Sequence, residues 1–176
     1  EDVPFEFVDN VMDVISKTPQ HTYQLLTKRA ERMAEYFSSR LIPQNVWLGV
    51  TVEDTLTKYR IDFLRNLSAQ VKFLSCEPLL CDLGELDLEG VDWIIVGGES
   101  GPIARPMKEE WVLNIKRQAE QKSIPFFFKQ WGTWSKEGVK GNKKKNGKLL
   151  QGEVIQQMPK VVHENFRNKD QTKFWE

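Results

Sequence analysis

The sequence predicts an α/β fold in which parallel strands alternate with helices. Two observations carry this. Short apolar segments, several of them rich in β-branched or aromatic residues, alternate with longer segments whose apolar residues recur three and four apart, the signatures of strand and helix. The short segments also read as nearly continuous apolar runs, as expected for a parallel sheet covered on both faces. Strand then helix, repeated, calls for crossover connections and parallel pairing.

Residues 5–16 place Phe7, Val8, Val11, Met12 and Ile15 at helical spacing, and Thr18-Pro19 ends the run, because proline disfavours helical geometry in the residue before it. Residues 23–27 (Tyr-Gln-Leu-Leu-Thr) form a short strand between breakers. Helical spacing returns over residues 30–41 through Met33, Ala34 and Phe37, ahead of Pro43. Residues 46–52 (Val-Trp-Leu-Gly-Val-Thr-Val) are the clearest strand. Residues 55–67 are helical, with Tyr59, Phe63, Leu64 and Leu67 on one face. A strand over 71–76 stops at Glu77-Pro78, and residues 79–89 read as a loop with one helical turn. A strand over 91–96 runs into Gly97-Gly98. A helix over 109–122 carries Trp111, Val112, Ile115 and Ala119, and a last strand begins at Pro125-Phe126-Phe127-Phe128. The expected organisation is residues 1–134 as the β/α unit, 135–160 as a Lys/Gly-rich loop with a short hairpin, and 161–176 as a polar tail.

The chain has 176 residues, 25 basic and 25 acidic, for a formal net charge of zero. That sum gives no support to nucleic acid as a partner. At 40% hydrophobic the chain suits a packed core, and no window approaches a membrane span. Cys76 and Cys81 alone exclude a disulfide scaffold and a four-cysteine zinc site. The expectation is a soluble, cytoplasmic domain. The opening Glu1-Asp2-Val3-Pro4, without Met or signal segment, reads as a processed or truncated product of a longer protein.

The informative feature is the end of each strand. Val50-Thr51-Val52-Glu53, Leu74-Ser75-Cys76-Glu77 and Val96-Gly97-Gly98-Glu99 each finish an apolar strand with a small residue, one more residue and a glutamate. The glutamates are 24 and 22 residues apart, about one strand–helix unit, and Lys28 stands 25 residues before the first. Just past the last strand come Lys129 and Gln130. Side chains alternate along a strand, so Glu53 shares a face with Thr51 and Gly49, Glu77 with Ser75, and Glu99 with Gly97. Small residues below each acid leave space beneath it. Sites in α/β folds form at the C-terminal ends of strands, so Lys28, Glu53, Glu77, Glu99, Lys129 and Gln130 are expected to converge on one mouth. A lone strand-end glutamate is ordinarily a cap neighbour or a surface ion-pair member; three in phase with a lysine favour a site. Gly97 and Gly98 form either a tight turn or a place where a ligand nears free backbone N–H groups.

Other residues read more plainly. His21 and His163 lie far apart, which leaves no zinc pattern and no base for a serine hydrolase at the mouth. Cys76 is expected to be buried, Asp54 to cap the next helix, and Trp131 and Trp134 to be core or to stack on a ligand. Lys136 to Lys148, with Lys143-Lys144-Lys145, is expected to be a flexible solvated loop, with a phosphate-contacting basic patch as the alternative.

The segments Thr-Pro-Gln-His-Thr-Tyr-Gln-Leu-Leu-Thr-Lys-Arg (18–29), Asn-Val-Trp-Leu-Gly-Val-Thr-Val-Glu (45–53), Phe-Leu-Ser-Cys-Glu-Pro-Leu-Leu (73–80), Trp-Ile-Ile-Val-Gly-Gly-Glu-Ser-Gly (93–101) and Phe-Phe-Phe-Lys-Gln-Trp-Gly (126–132) resemble one family. It is the phage-associated family of uncharacterised proteins with a radical-SAM-like barrel. The resemblance covers about residues 1–160. It implies an incomplete TIM-barrel-like (radical-SAM-like) architecture. Complete members look like enzymes that hold a [4Fe–4S] cluster on three closely spaced cysteines near the N-terminus and cleave S-adenosylmethionine to a 5′-deoxyadenosyl radical. That motif is absent here and is expected upstream of Glu1. Cys76 and Cys81 do not supply three cluster ligands, so S-adenosylmethionine and the cluster are implied for a complete member and no cofactor for this chain alone. The resemblance further implies Glu53, Glu77 and Glu99 at the amino group or ribose hydroxyls of S-adenosylmethionine, or at substrate, and Lys28 and Lys129 at a carboxylate or phosphate. Many radical-SAM proteins carry a Gly-Gly-Glu motif at the methionine amino group, there after an earlier strand than Gly97-Gly98-Glu99 follows here. A barrel missing its first strands leaves an open edge, so residues 23–27 are expected to pair with a missing N-terminal segment or a second chain.

Three functions follow: the C-terminal part of a radical-SAM-type enzyme, a cluster-free protein binding a small anionic or nucleotide ligand, or a lyase or hydrolase with Glu53, Glu77 and Glu99 around a divalent metal.

Overall fold

The computed structural model describes residues 3–160, and the expected polar tail lies outside the described residues. The elements are α1 (Phe5–Ser16), β1 (Tyr23–Thr27), α2 (Ala30–Phe37), β2 (Val46–Thr51), α3 (Arg60–Arg65), β3 (Val71–Cys76), β4 (Trp93–Gly97), α4 (Glu109–Gln121), β5 (Phe126–Gln130), α5 (Lys143–Asn146), β6 (Leu149–Leu150) and β7 (Glu153–Val154). Five strands form one parallel sheet in the order β1-β2-β3-β4-β5. The fold is α/β.

Strands added one after another in a single direction, with crossovers of one hand, put all the connecting helices on one side. The packing obeys this. Val46, Leu48, Val50, Leu74, Ile94, Phe126 and Phe128 share a core with Met12 and Ile15 of α1, Ile61 and Leu64 of α3, and Val112, Ile115 and Ala119 of α4. The alternate residues, Trp47, Val71, Phe73 and Trp93, form a second cluster on the other face with Ile95 and Phe127. Trp93 is its hub, with ring centroids of Trp47, Phe73 and Phe127 at 6.0, 5.7 and 5.8 Å, within the range of favourable edge-to-face contact.

Among the described residues the sheet does not close. Residues 155–157 run antiparallel along the outer edge of β5: Phe128 N–H donates to the Ile155 carbonyl (2.7 Å) and Gln157 N–H to that of Phe126 (3.1 Å). Among the described residues no strand lies along the outer edge of β1. Beside that edge an apolar groove of about 270 Å³ opens between α1, β1 and α2, lined by Phe5, Met12, Leu25 and Met33 among others.

Several elements are shorter than their periodicity predicts, for local reasons. Helix α2 stops at Phe37, where the Ser38 hydroxyl turns back to the Glu35 carbonyl, the competition that makes serine a poor helix interior. The expected helix over 55–67 is split into a 3-10 turn (Thr55–Thr57), closed by a reciprocal cap between Asp54 and Thr57, and α3. Asp54 thus serves as the expected cap. Strand β4 begins at Trp93, since Asp92 binds Lys72 through both its backbone and its carboxylate. Residues 79–89 contain no helical turn, and the expected hairpin is β6–β7. The segment 135–148 is stitched down rather than loose. Gly141 N–H donates to the Thr133 carbonyl (2.8 Å), the Asn146 amide to that of Gly132 (3.0 Å) and Lys140 Nζ to that of Pro102 (2.8 Å).

Candidate functional site

Glu53, Glu77 and Glu99 stand at the C-terminal ends of three neighbouring strands, and each is neutralised by a cation from elsewhere in the sequence. Lys28, just past β1, places Nζ 2.5 Å from Glu53 Oε1. Arg60, the first residue of α3, donates from Nη1 to Glu53 Oε2 (2.9 Å) and to the Thr51 carbonyl (2.7 Å). Lys129 of β5 reaches Glu77 Oε2 at 2.8 Å. Arg105 grips Glu99 with Nε and Nη2, both at 2.9 Å, and its backbone N–H adds a bond of 2.8 Å.

The backbone around these pairs fixes them. Leu79 N–H donates to the Gly97 carbonyl (3.0 Å) and Leu80 N–H to that of Glu53 (2.9 Å), so the two residues after the cis Glu77–Pro78 peptide tie the ends of β4 and β2 across the end of β3. Lys129 reaches from β5 across β4 to meet Glu77, and the Glu77 side chain lies over Gly97. A Cβ there would lie 3.1 Å from Glu77 Oε1, so the missing side chain keeps that space open.

The charges of the site act on one another across the mouth. The Arg105 guanidinium beside Glu99 holds its carboxyl down at about 2, against an ordinary 4.5, and the charge of Lys28 adds to the depression. Arg105 is raised mainly by Glu99, with Glu53 and Asp54 contributing. Charged groups at the ends of β1, β2 and β4 thus lie near enough to influence one another. A carboxylate with a depressed pKa contributes stability that is present above the unfolded value and lost as the pH falls through the folded one. The Glu99 contribution is thus expected in full above pH 4.5 and to disappear between 4.5 and about 2. Carbon-13 NMR titration should place the Glu99 carboxyl at about 2, and Arg105→Gln should return it toward 4.5; an unmoved titration would contradict the pairing.

Burial follows a pattern within these pairs. The carboxylates are inside, at 13%, 20% and 26% side-chain exposure, while Lys28, Lys129 and Arg105 are outside, at 57%, 48% and 59%. Arg60 is the exception at 12% and acts as the fixed inner partner of Glu53.

Some expectations are corrected. The space beneath Glu53 is filled: the ring of Phe73 lies over Gly49, where a Cβ would come within 2.3 Å of it. The Gly98 N–H is not free for a ligand, because it donates to the Gln130 carbonyl at 2.9 Å. Gly98 is needed for close backbone contact: a Cβ there would sit 1.9 Å from the Trp131 carbonyl oxygen. Gln130 is buried, and across the register shift after Val96 it pairs with Gly97. Its amide Nε2 is 3.4 Å from the Ser100 hydroxyl, so it supports the 98–101 turn from below while Lys129 points to the mouth. Trp131 is core and Trp134 half-buried, its Nε1 on the Ala104 carbonyl at 2.6 Å.

Arg60 and Arg105 were not among the residues the sequence singles out. Their only signal is spacing, a basic residue six or seven positions after a strand-end glutamate. Whether such a residue turns back depends on the path of the intervening loop.

The cysteines do not fit a cluster site. Cys76 is wholly buried on the helix-facing side of β3, and its thiol is pushed up to about 12 by burial, with the charge of Glu53 adding; a cluster ligand is a thiolate. Cys81 stands apart in the following loop, half-buried. Nor are Glu53, Glu77 and Glu99 grouped for a divalent ion: among the described residues no three His, Cys, Asp or Glu side chains are placed to hold a metal. Among those residues, too, no helix is long and apolar enough to cross a membrane.

No curated protein matches this chain, and no solved structure does. A family model does, over residues 1–159, with the description Protein of unknown function (DUF5131). The chain belongs to that family.

Proposed function

We propose that the mouth of the sheet binds a small molecule that carries both hydrogen-bond donors, such as an amino group or sugar hydroxyls, and an anionic group. The observation that carries this reading is the layering of the three pairs, with half-buried carboxylates inside and exposed lysine and arginine outside. Carboxylates accept from amines and hydroxyls, and the outer cations meet a carboxylate or phosphate. Exposed ion pairs are worth little individually, so a ligand exchanges them at low cost. Two free cysteines agree with work in a reducing compartment such as the cytoplasm.

A finer reading follows from the resemblance, in which the chain is the C-terminal part of a phage-type radical-SAM-like enzyme and the ligand is S-adenosylmethionine. Its support is the single-direction order of five parallel strands with helices on one face, the arrangement of a β/α-barrel wall. Bound, S-adenosylmethionine would supply radical chemistry, and this chain's part is to hold its amino group and ribose. A cluster would be held by cysteines other than Cys76 and Cys81.

The test is calorimetric titration of the protein with S-adenosylmethionine, then with adenosine 5′-monophosphate. Binding of at least one is expected, weakened roughly tenfold or more by Glu77→Gln, since a lost charge-assisted bond costs about 1.5–3 kcal/mol. No binding of either compound, or the same affinity in the variant, would overturn the reading.

A further inference from the structure

The zero net charge is a sum over a segregated molecule. Residues 129–148 hold seven lysines and one acid, Glu137. Residues 82–92 hold five acids and no basic residue. The two segments lie apart. Asp87 is paired with Arg65 at the end of α3 and Asp92 with the start of β3, away from the mouth, whereas residues 129–148 follow β5 and so sit at the mouth end of the sheet.

The lysine-rich segment is held in place there by the Thr133, Gly132 and Pro102 contacts described above and by Trp131 N–H, which donates to the Gly147 carbonyl (3.2 Å). Pro102 belongs to the loop that also presents Arg105, so the lysines continue the rim formed by Lys129 and Arg105. Lys143, Lys144 and Lys145 are exposed, and among the described residues they have no acid partner. Nothing within the described fold uses their charge. Helix α5 is Lys-Lys-Lys-Asn, with no apolar face to enter a bilayer. Half-buried Trp134 belongs to the same segment, with Lys140 Nζ 5.8 Å from its ring, an aromatic beside a basic residue as in surfaces that follow single strands.

We propose that residues 129–148 dock the phosphate backbone of a single-stranded nucleic acid and lead one of its nucleotides to the mouth. An unpaired base has its amino and imino donors free for the carboxylates, whereas a paired base does not, which favours a single strand over a duplex. What enters the mouth rests on the ligand reading above; the docking of the backbone on the lysines does not.

The experiment is fluorescence anisotropy with a labelled single-stranded oligonucleotide of roughly 20 nucleotides, its duplex, and phosphatidylserine vesicles as separate probes, across a salt series. The single strand should bind, more tightly than the duplex, with log affinity falling linearly in log salt. Lys143→Ala/Lys144→Ala/Lys145→Ala should weaken binding about tenfold or more at low salt and flatten the salt slope by about 2, at roughly 0.7 per phosphate contact. Lys17→Ala/Lys122→Ala, remote from the mouth, should change neither. No oligonucleotide binding, preference for the duplex, vesicle binding alone, or an unchanged slope in the triple variant would each overturn the proposal. Failure of the ligand reading would leave this lysine-dependent binding intact, and failure of the docking reading would leave small-ligand binding intact, so the two are separable.

Discussion

Gly132→Ala is expected to lower the melting temperature by about 10 °C. Gly132 has φ +83°, and a Cβ there would lie 2.2 Å from the Glu99 carbonyl oxygen. The left-handed conformation costs a non-glycine residue about 1–2 kcal/mol, and forced overpacking adds about 1–3 kcal/mol. A total near 3 kcal/mol converts at roughly 2–4 °C per kcal/mol for a chain of this size. The contact is reciprocal: Gly98 abuts Trp131, and Thr133 N–H donates to the Glu99 carbonyl at 2.9 Å. Gly98→Ala should therefore destabilise as severely, although its φ is not in the left-handed region. Gly138 has φ +73° and open space around it, so Gly138→Ala should cost only the conformational part, about 1 kcal/mol. Thermal unfolding of the three variants checks the ranking. Equal losses at Gly132 and Gly138 would mean that the interlock of the β4 and β5 ends is not the cause.

The second large effect is expected at Glu53. Glu53 and Arg60 are both nearly enclosed, and Arg60 Nε has no partner of its own. Removing the carboxylate strands a mostly buried guanidinium, a change that costs about 3–5 kcal/mol for a fully buried pair. With Lys28 and solvent close by, about 2 kcal/mol is expected for Glu53→Gln in urea unfolding. Lys28→Met, which removes the exposed partner, should cost under about 0.5 kcal/mol. Arg60→Met combined with Glu53→Gln should recover part of the loss, because no buried charge is then left unpaired. If Lys28→Met proved the costlier change, the division into fixed inner and exchangeable outer partners would be wrong.

That division explains how much of the site was legible in the sequence. β1 and β3 have the bounds that their apolar runs predict, and β2 differs by one residue. A short apolar strand between breakers is specified by its own composition, so its limits are local. The placement of Glu53, Glu77 and Glu99 was legible for the same reason, as a fixed position after each strand. The cations were not equally visible. Lys28 and Lys129 belong to strand ends and follow the same pattern, whereas Arg60 and Arg105 arrive through a helix start and a loop. The register irregularity between Val96 and Gly97, which brings Gln130 opposite Gly97, could not be foreseen from alternation. The glycines misled in a different way. Gly49 and Gly98 suggested room, and the room is taken by the Phe73 ring and the Trp131 backbone. Composition hid the basic rim, because residues 82–92 cancel most of it in the sum.

The same geometry separates structural from exchangeable parts of the mouth. Gly98, Gly132, Gln130 and the Leu79–Leu80 bridge hold strand ends together. In the pairs of Glu77 with Lys129 and of Glu99 with Arg105 the cation is about half exposed, which is what the proposed exchange with a ligand rests on. A ligand would take their place.

The measurement that tests this most directly is carbon-13 NMR of the glutamate carboxyls during addition of adenosine 5′-monophosphate or S-adenosylmethionine. Shifts confined to Glu77, Glu99 and Glu53, with saturation, are the result the proposed ligand site predicts. Carboxyl signals that stay in place while the ligand binds, or that move only at Glu85, Glu89 and Glu120 away from the mouth, would contradict it.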